Sequence, residues 1–159
     1  NDSRSSGKGA AIGGVAGAAT IAAIIAFIGP WEGRRYTAYQ DIVGVWTICE
    51  GHTKGVKAGD VATDAQCDEM AAQDVAEHNA GIRACITRPM PQNVEIAFTS
   101  LAFNAGVGAF CGSTALKRYN AGDDSGACDA LNMWVRAGGK VVKGLVNRRA
   151  AESALCKKD

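Results

Sequence analysis

Two carboxylates and a hydroxyl lie close together in the sequence and could act on one bond. Glu32 is followed by Asp41 and then by Thr47. A protonated carboxyl can donate to a leaving oxygen while an ionised one activates water or attacks carbon, which is how glycosidic bonds are hydrolysed. A glutamate beside an apolar segment suits the acid, and Asp41 in a polar turn suits the ionised group. Such a pair also occurs among surface charges, so the spacing alone does not establish a site.

A cysteine and a histidine three residues apart offer a second kind of chemistry. Cys49 and His52 could form a thiol–imidazole pair for nucleophilic catalysis. We favour the other interpretation, in which Cys49 forms a disulfide and His52 is structural. His78 falls in a predicted helix among acidic residues and has no companion ligands, so it is also predicted to be structural. No metal site and no cofactor are predicted.

The cysteines indicate the compartment in which the chain works. Their even number, their wide spacing and the absence of a CxxC pair favour disulfides over zinc, and disulfides indicate an oxidising compartment such as a periplasm. Six reduced cysteines in a cytosolic protein are the alternative. Pairing of neighbours in chain order is our prediction among the fifteen arrangements that six cysteines allow. It joins Cys49 to Cys67, Cys85 to Cys111, and Cys128 to Cys156.

Composition excludes several classes of protein. The 17 Lys and Arg residues nearly balance the 16 Asp and Glu residues, which argues against a nucleic-acid partner. An apolar content of 47% argues against disorder. A basic region near the C-terminus contains Lys140, Lys143, Arg148 and Arg149. It could attract an anionic cell-wall polymer, although such a region is usually a solvated helix face.

Residues 9–29 form an uncharged segment that could cross a membrane. As a helix they would span about 31 Å, the thickness of a bilayer core. Their seven strongly apolar residues contribute only roughly −2 to −4 kcal/mol of insertion free energy. A cleaved signal peptide, a permanent anchor, a buried Ala-rich helix and a helix that enters the membrane and can leave it are all compatible with this pattern. Flanking arginines and lysines do not settle the orientation, but the downstream cysteines place the body outside the cytosol.

The elements that must position the candidate residues are a small β element followed by helices. Residues 36–48 are rich in β-branched and aromatic residues and predict a hairpin or meander. Residues 63–86 predict a helix capped by Thr63, and Pro91 opens another with Val94, Phe98 and Leu101 on one face. This order indicates an α+β fold. Further helices are predicted from Ser113 or Thr114, from Asp123 or Asp124, and over 144–156.

Three blocks of sequence resemble the phage lysozymes of glycoside hydrolase family 24. The first contains Trp-Glu-Gly at 31–33, the run YQDIVGVWTI at 39–48 and Gly-His-Thr at 51–53. The second contains Phe-Asn-Ala-Gly at 103–106 with Ser113 and Thr114. The third contains Trp134, Gly-Gly-Lys at 138–140 and GLVNRR at 144–149. The blocks cover most of residues 31–156, and the leader before them resembles the signal-anchor-release segment of phage endolysins.

The resemblance implies a muramidase that cuts the β-1,4 bond from N-acetylmuramic acid to N-acetylglucosamine in peptidoglycan. It assigns the general acid to Glu32 and the positioning of water to Asp41 and Thr47. It implies a lysozyme-like two-lobed fold, with a small β lobe, a larger helical lobe and an N-terminal apolar helix. Residues 1–29 would be the releasable anchor and 30–159 a catalytic domain, expected to be monomeric. Many relatives have glycine where this chain has Cys49, and Glu50 adds a third carboxylate near the site.

The anchor predicts how activity is controlled. With the N-terminus in the cytoplasm and the body in the periplasm, a membrane-spanning segment would hold Glu32 at the surface of the host inner membrane, three residues beyond Gly29. We expect that form to be inactive and release to the periplasm to activate it. The leader has no cysteine, so caging by disulfide exchange is excluded. A non-enzymatic, membrane-anchored wall-binding protein with a lysozyme fold is the alternative, and a phage-tail lysozyme would not need the leader.

Overall fold

The computed structural model describes residues 9–158, which fall into two compact units. One unit covers residues 17–77, and the other contains residues 9–16 together with 78–158. The first contains helix α1 (Ala18–Glu32), strands β1 (Arg35–Gln40) and β2 (Trp46–Cys49), and most of helix α2 (Asp64–Arg83). The second contains α3 (Gln92–Ala105), α4 (Val107–Cys111), α5 (Thr114–Asn120), α6 (Asp124–Ala130), a 3₁₀ helix (Leu131–Met133), β3 (Arg136–Ala137), β4 (Lys140–Val141) and α7 (Lys143–Cys156).

The predicted hairpin is confirmed as β1 and β2, which pair in antiparallel fashion. Tyr39 lies opposite Thr47 near the turn, whereas Arg35 lies opposite Cys49 at the open end. The register shifts between these two points, so the hairpin contains an irregularity. A shift of this kind bends a strand and changes where its side chains point. The polar turn predicted at Asp41 joins the two strands.

The predicted helix over 63–86 is confirmed as α2, which ends at Arg83. Thr63 caps it as expected, because its Oγ1 accepts a hydrogen bond of 3.2 Å from the Gln66 backbone N–H. In turn, the Gln66 side-chain oxygen accepts a hydrogen bond of 2.8 Å from the Thr63 N–H, which completes a capping box. Its apolar positions recur at helical spacing and are buried, namely Cys67, Ala71, Val75 and Ile82.

Aromatic residues form the centre of the helical unit. Phe98 packs against Phe110 with ring centroids 5.1 Å apart and meets Tyr119 edge-on at 5.3 Å. The predicted inner face of α3 is confirmed, because Val94, Phe98 and Leu101 are all buried. Side-chain caps begin α5 and α6, with the Ser113 hydroxyl accepting from the Leu116 N–H and the Asp123 carboxylate from the Gly126 N–H.

Three short elements of this unit were not predicted. They are α4, the 3₁₀ helix and the β3–β4 hairpin. Each has too few residues to show a period of 3.6 or 2 in its apolar positions, so its shape depends on tertiary contacts. The final helix was predicted from residue 144 and begins at Lys143.

All six cysteines form disulfides in the pairing expected from the sequence. Cys49 is joined to Cys67, Cys85 to Cys111 and Cys128 to Cys156, with Cα separations of 5.2, 5.9 and 5.6 Å. The first ties the hairpin to α2, the second ties the chain after α2 to α4, and the third ties α6 to α7. Each bond closes a loop within one unit, which restricts the unfolded chain and stabilises that unit.

The leader is not the continuous helix predicted over 9–29. Residues 9–17 are not helical, and α1 begins only at Ala18. Gly13 and Gly14 adopt positive φ angles of 65° and 70°, which glycine tolerates and a helix forbids. The Ile12 N–H donates to the Ile86 carbonyl at 2.8 Å, and the Gly13 N–H to the Arg83 carbonyl at 2.9 Å. The glycine-rich stretch therefore finds hydrogen-bond partners in the helical unit instead of within a helix.

A buried polar network holds the end of this non-helical stretch. The Ala16 N–H donates to Asn79 Oδ1 at 2.8 Å, and Asn79 Nδ2 donates to Glu95 at 2.8 Å. Arg83 binds Glu95 through two nitrogens and also donates to the Gly13 carbonyl at 3.2 Å. These bonds satisfy backbone groups that would otherwise be buried without partners.

The second half of the leader is the apolar helix α1. Ile24 and Ile28 are fully buried, whereas Ala18, Ala22 and Ala26 are exposed. Within residues 9–158, no helix combines the length and the hydropathy needed to cross a membrane.

A cluster of charged side chains lies inside the helical unit. Glu152 is fully buried and contacts Arg149, also buried, with an Nε–Oε1 distance of 2.7 Å. Ser100 and Arg148 complete the cluster around Glu152. Burial raises the pKa of the Glu152 carboxyl, and the two guanidinium groups oppose that shift. The predicted basic region is therefore not a solvated helix face at these positions, although Lys140 and Lys143 are exposed.

We expect Glu152→Leu to lower the free energy of unfolding by about 3–5 kcal/mol, because it removes the carboxylate beside two buried guanidinium charges. Urea denaturation at neutral pH measures the change. The matched control is Asp129→Asn, which breaks an exposed pair with Lys157 and should shift the midpoint little. Equal shifts in the two variants would contradict the prediction.

Candidate active site

The turn after β1 fixes the orientation of the Asp41 carboxylate. Asp41 Oδ1 accepts hydrogen bonds from the backbone N–H groups of Val43 at 2.9 Å and Val45 at 2.8 Å. The Asp41 N–H donates to the Val45 carbonyl at 2.9 Å, and the Gly44 N–H donates to the Asp41 carbonyl at 2.9 Å. Both side-chain bonds go to Oδ1, and the other oxygen, Oδ2, makes no hydrogen bond to the described residues.

The Thr47 hydroxyl is fixed by the same turn. Thr47 lies on β2, is buried, and donates its hydroxyl proton to the Val45 carbonyl at 2.9 Å. Since its proton is used, the hydroxyl oxygen can act toward a further group only as an acceptor.

Val45 therefore holds both candidate residues through its backbone. Its N–H binds the Asp41 carboxylate, and its carbonyl accepts from the Asp41 N–H and the Thr47 hydroxyl. Thr47 pairs with Tyr39, and side chains alternate along a strand, so Thr47 and Asp41 belong to the same face of the hairpin. Two acceptors fixed on one face can orient a water molecule that donates to both.

Glu32 is the last residue of α1 and is partly buried. Gly33 ends the helix with a φ of 70° and donates its N–H to the Gly29 carbonyl at 3.0 Å. Only glycine adopts this angle without strain, so Gly33 allows a sharp exit from the helix directly after Glu32. Glu32, Asp41 and Thr47 all belong to the unit formed by residues 17–77.

The structure gives Glu50 a definite partner. Glu50 is 7% exposed and forms an ion pair with Arg34, whose Nε contacts Glu50 Oε1. Arg34 also binds Asp68 at 2.7 Å and Asp64 at 3.1 Å, and the Tyr36 hydroxyl donates to Asp64 at 2.6 Å. We call these four charged residues, Arg34, Glu50, Asp64 and Asp68, the Arg34 cluster.

The charges of this cluster reinforce one another. The hydrogen bond to Glu50, followed by that to Asp68, raises the pKa of Arg34. The Tyr36 hydroxyl and then Arg34 lower the pKa of Asp64, and the bond to Asp64 raises the pKa of Tyr36. In the sequence, Arg34 stands out only as one of the charges that flank the leader. Its partner follows from the hairpin register, in which the pairing of Arg35 with Cys49 places Glu50 opposite Arg34.

The thiol–imidazole alternative is wrong because the Cys49 sulfur is bonded to Cys67 and buried. His52 has structural partners, as predicted, with Nδ1 at 2.8 Å from Asp74 and Nε2 at 3.0 Å from the Lys54 carbonyl. His78 packs against a phenylalanine ring, with centroids 5.0 Å apart. Among the described residues, no group of acidic, histidine or cysteine side chains is arranged to hold a metal ion.

Comparison with known proteins gives one consistent family. The Phage lysozyme family model matches residues 29–152. The SAR-endolysin of Enterobacteria phage P21 is 43% identical over 153 residues, which cover 92% of this chain and 91% of that protein.

Solved structures agree with this comparison. A variant of the lysozyme of phage P22 matches with a TM-score of 0.76 and 32% identity over 91% of this chain and 99% of that one. The active form of the P1 phage endolysin Lyz matches with a TM-score of 0.75 and 27% identity, over 91% of this chain and 95% of that one. Its secreted inactive form matches with a TM-score of only 0.56 and 26% identity, over 84% and 92%.

Proposed function

The chain belongs to the phage lysozyme family, and we propose that Glu32, Asp41 and Thr47 form the active site of this muramidase endolysin. Its substrate is peptidoglycan, in which lysozymes hydrolyse the β-1,4 bond between N-acetylmuramic acid and N-acetylglucosamine. The observation that carries the assignment of residues is the anchoring of Asp41 and Thr47 on the backbone of Val45.

Glu32 acts as the general acid in this proposal. It donates a proton to the glycosidic oxygen as the bond to the anomeric carbon breaks. A water molecule donates one hydrogen bond to Asp41 Oδ2 and the other to Thr47 Oγ1, which leaves a lone pair of the water for attack. Asp41 takes the proton that the water loses, so that the attacking oxygen becomes the new anomeric hydroxyl.

This arrangement implies inversion at the anomeric carbon. A water molecule must fit between the sugar and the base, so the two carboxyl groups of an inverting enzyme lie roughly 6.5–9.5 Å apart. NMR of the first-formed anomer from a soluble glycan fragment of peptidoglycan tests this stereochemistry. Net retention would contradict the role proposed for Asp41.

We expect Asp41→Asn to lower turnover by about 100-fold and Thr47→Ala by about 10-fold. The first change removes the base, whereas the second removes one of the two acceptors that orient water. Turnover of a soluble glycan fragment by each purified variant measures the effect. Thr47→Ser keeps the hydroxyl and is the matched control, which should retain most activity.

Equal activity of Thr47→Ala and Thr47→Ser would contradict the role of the hydroxyl. A wild-type protein that binds purified peptidoglycan without releasing reducing ends would instead support the non-enzymatic alternative.

We also propose that residues 9–29 are the anchor that inserts in the host inner membrane and later leaves it. The described conformation, with the leader divided between two units, is then the released and active one. The higher TM-score to the active form of the P1 endolysin supports this proposal. The protein is expected to act as a monomer in the periplasm after release.

A further inference from the structure

We infer that Arg34 is a positioning residue for the hydrolytic reaction, acting through its ion pair with Glu50. The inference rests on the proposed function, because it concerns the placement of Glu32. Arg34 lies two residues after Glu32, and Glu50 lies three residues after Thr47. The pair therefore joins the segment that carries the proposed acid to the strand that carries a proposed water ligand.

The geometry of the Arg34 cluster supports a positioning role. Arg34 uses Nε for Glu50, Nη2 for Asp68 at 2.7 Å, and Nη1 for both the side chain and the carbonyl of Asp64, at 3.1 and 3.3 Å. One guanidinium thus connects the exit of α1, the end of β2 and the first turns of α2. Its donors are fixed in one plane, so these bonds restrict both the position and the direction of the segment after Gly33.

Burial distinguishes this pair from an ordinary surface pair. Glu50 is 7% exposed, and its Oε2 atom is buried without a hydrogen-bond partner among the described residues. A buried carboxylate that lacks one bond depends strongly on its remaining cation. By contrast, Lys54 and Glu77 form a pair in the same unit with side chains that are 68% and 54% exposed.

The backbone around Glu50 also depends on this contact. Cys49 adopts a φ of 58°, in the left-handed region that glycine favours. The disulfide of Cys49 and the ion pair of Glu50 fix two successive residues of this strained turn. We therefore expect loss of Arg34 to change the turn and the α1 exit together.

The test is the kinetics of Arg34→Ala on a soluble glycan fragment of peptidoglycan. We expect kcat to fall about 10- to 100-fold while KM changes less than about twofold, since a shift of about 1 Å in a catalytic group has effects of this size. Guanidinium ion at millimolar concentration should restore activity several-fold, because it can occupy the vacated site between the carboxylates. Arg34→Lys should remain impaired, because an ammonium group cannot make the planar set of bonds.

Lys54→Ala is the matched control, and neither its kcat nor its response to guanidinium should change. Circular dichroism and thermal melting identify the fraction of each variant that is folded, so turnover is compared per folded molecule. If Arg34→Ala misfolds, Glu50→Gln provides the second test, with the same expected loss of kcat at constant KM.

Two results would overturn the inference. One is a folded Arg34→Ala enzyme with kcat close to that of the wild type, and the other is a loss that guanidinium does not restore in any degree. Glu32→Gln is measured in parallel, so that failure of the positioning role can be distinguished from failure of the proposed function. Activity in Glu32→Gln would refute the proposed acid, whereas an inactive Glu32→Gln beside a fully active Arg34→Ala would refute only the positioning role.

Discussion

Glu32→Gln is expected to lower the rate of peptidoglycan hydrolysis by at least about 10²- to 10⁴-fold while leaving the fold intact. Glutamine has nearly the same shape as glutamate but carries no acidic proton for the leaving oxygen. Glu32 is partly buried at the last position of α1, and the helix ends there through the glycine that follows. The substitution therefore removes the proton donor without changing the elements that hold it.

The rate is measured as reducing ends released from purified peptidoglycan, with thermal melting as the test of folding. Glu69→Gln is the matched control, because Glu69 is an exposed carboxylate in the same unit, on α2. That variant should hydrolyse at the wild-type rate. Substantial hydrolysis by Glu32→Gln would contradict the assignment of Glu32 as the general acid, whatever the effects of substitutions at Asp41 and Thr47.

Local patterns predicted the elements that carry the site. The hairpin follows from β-branched and aromatic residues around a polar turn, and α2 follows from a capping box and apolar residues at helical spacing. These patterns involve residues that are close together in the sequence, so tertiary contacts do not change the elements that they predict. Asp41 and Thr47 are held by a turn of this local kind, whereas their proposed roles follow from the family resemblance, because their spacing alone does not establish a site.

The Arg34 cluster was not predictable, because its members come together only through tertiary structure. The ion pair depends on the hairpin register, which shifts between Arg35 and Tyr39. The other two carboxylates, Asp64 and Asp68, come from the first turns of α2, thirty or more residues away in the chain. The spacing of apolar residues in a sequence indicates neither a register shift nor the direction in which a helix approaches a hairpin.

The non-helical conformation of residues 9–17 was not predictable for a related reason. The apolar content of the leader predicted one helix, but Gly13 and Gly14 have positive φ angles in the structure. Residues 12, 13 and 16 bind backbone and side-chain groups of residues 79–86, and a stretch so rich in glycine can accept these partners in place of its own helical bonds. A segment that enters the membrane and later leaves it, as proposed for this leader, must be compatible with two environments, and its apolar composition indicates only the membrane one.

Retention in the membrane should follow when the exposed face of the leader becomes more apolar. We expect the triple variant Ala18→Leu, Ala22→Leu and Ala26→Leu to remain in the membrane fraction and to delay or prevent lysis. Three leucines add roughly −1 to −2 kcal/mol to insertion. A change of this size shifts a two-state equilibrium about 5- to 30-fold, which is large for a segment whose insertion is only marginally favourable.

These alanines are the suitable positions because the released fold leaves them exposed, spaced by four residues along α1. Leucine there adds apolar surface without displacing the buried Ile24 and Ile28. Gly13 and Gly14 are avoided, because a side chain at their positive φ would strain the released form and confuse retention with misfolding.

Membrane fractionation and the time of lysis after induction measure the effect. The matched control carries the same three changes outside the leader, at the exposed residues Ala58, Ala65 and Ala154, and should lyse on the normal schedule. Detergent-extracted leader variant should hydrolyse purified peptidoglycan at the wild-type rate, since the bilayer, not the active site, restrains it. Lysis by the leader variant on the normal schedule, or hydrolysis by wild-type protein still in the membrane, would contradict release as the activating step.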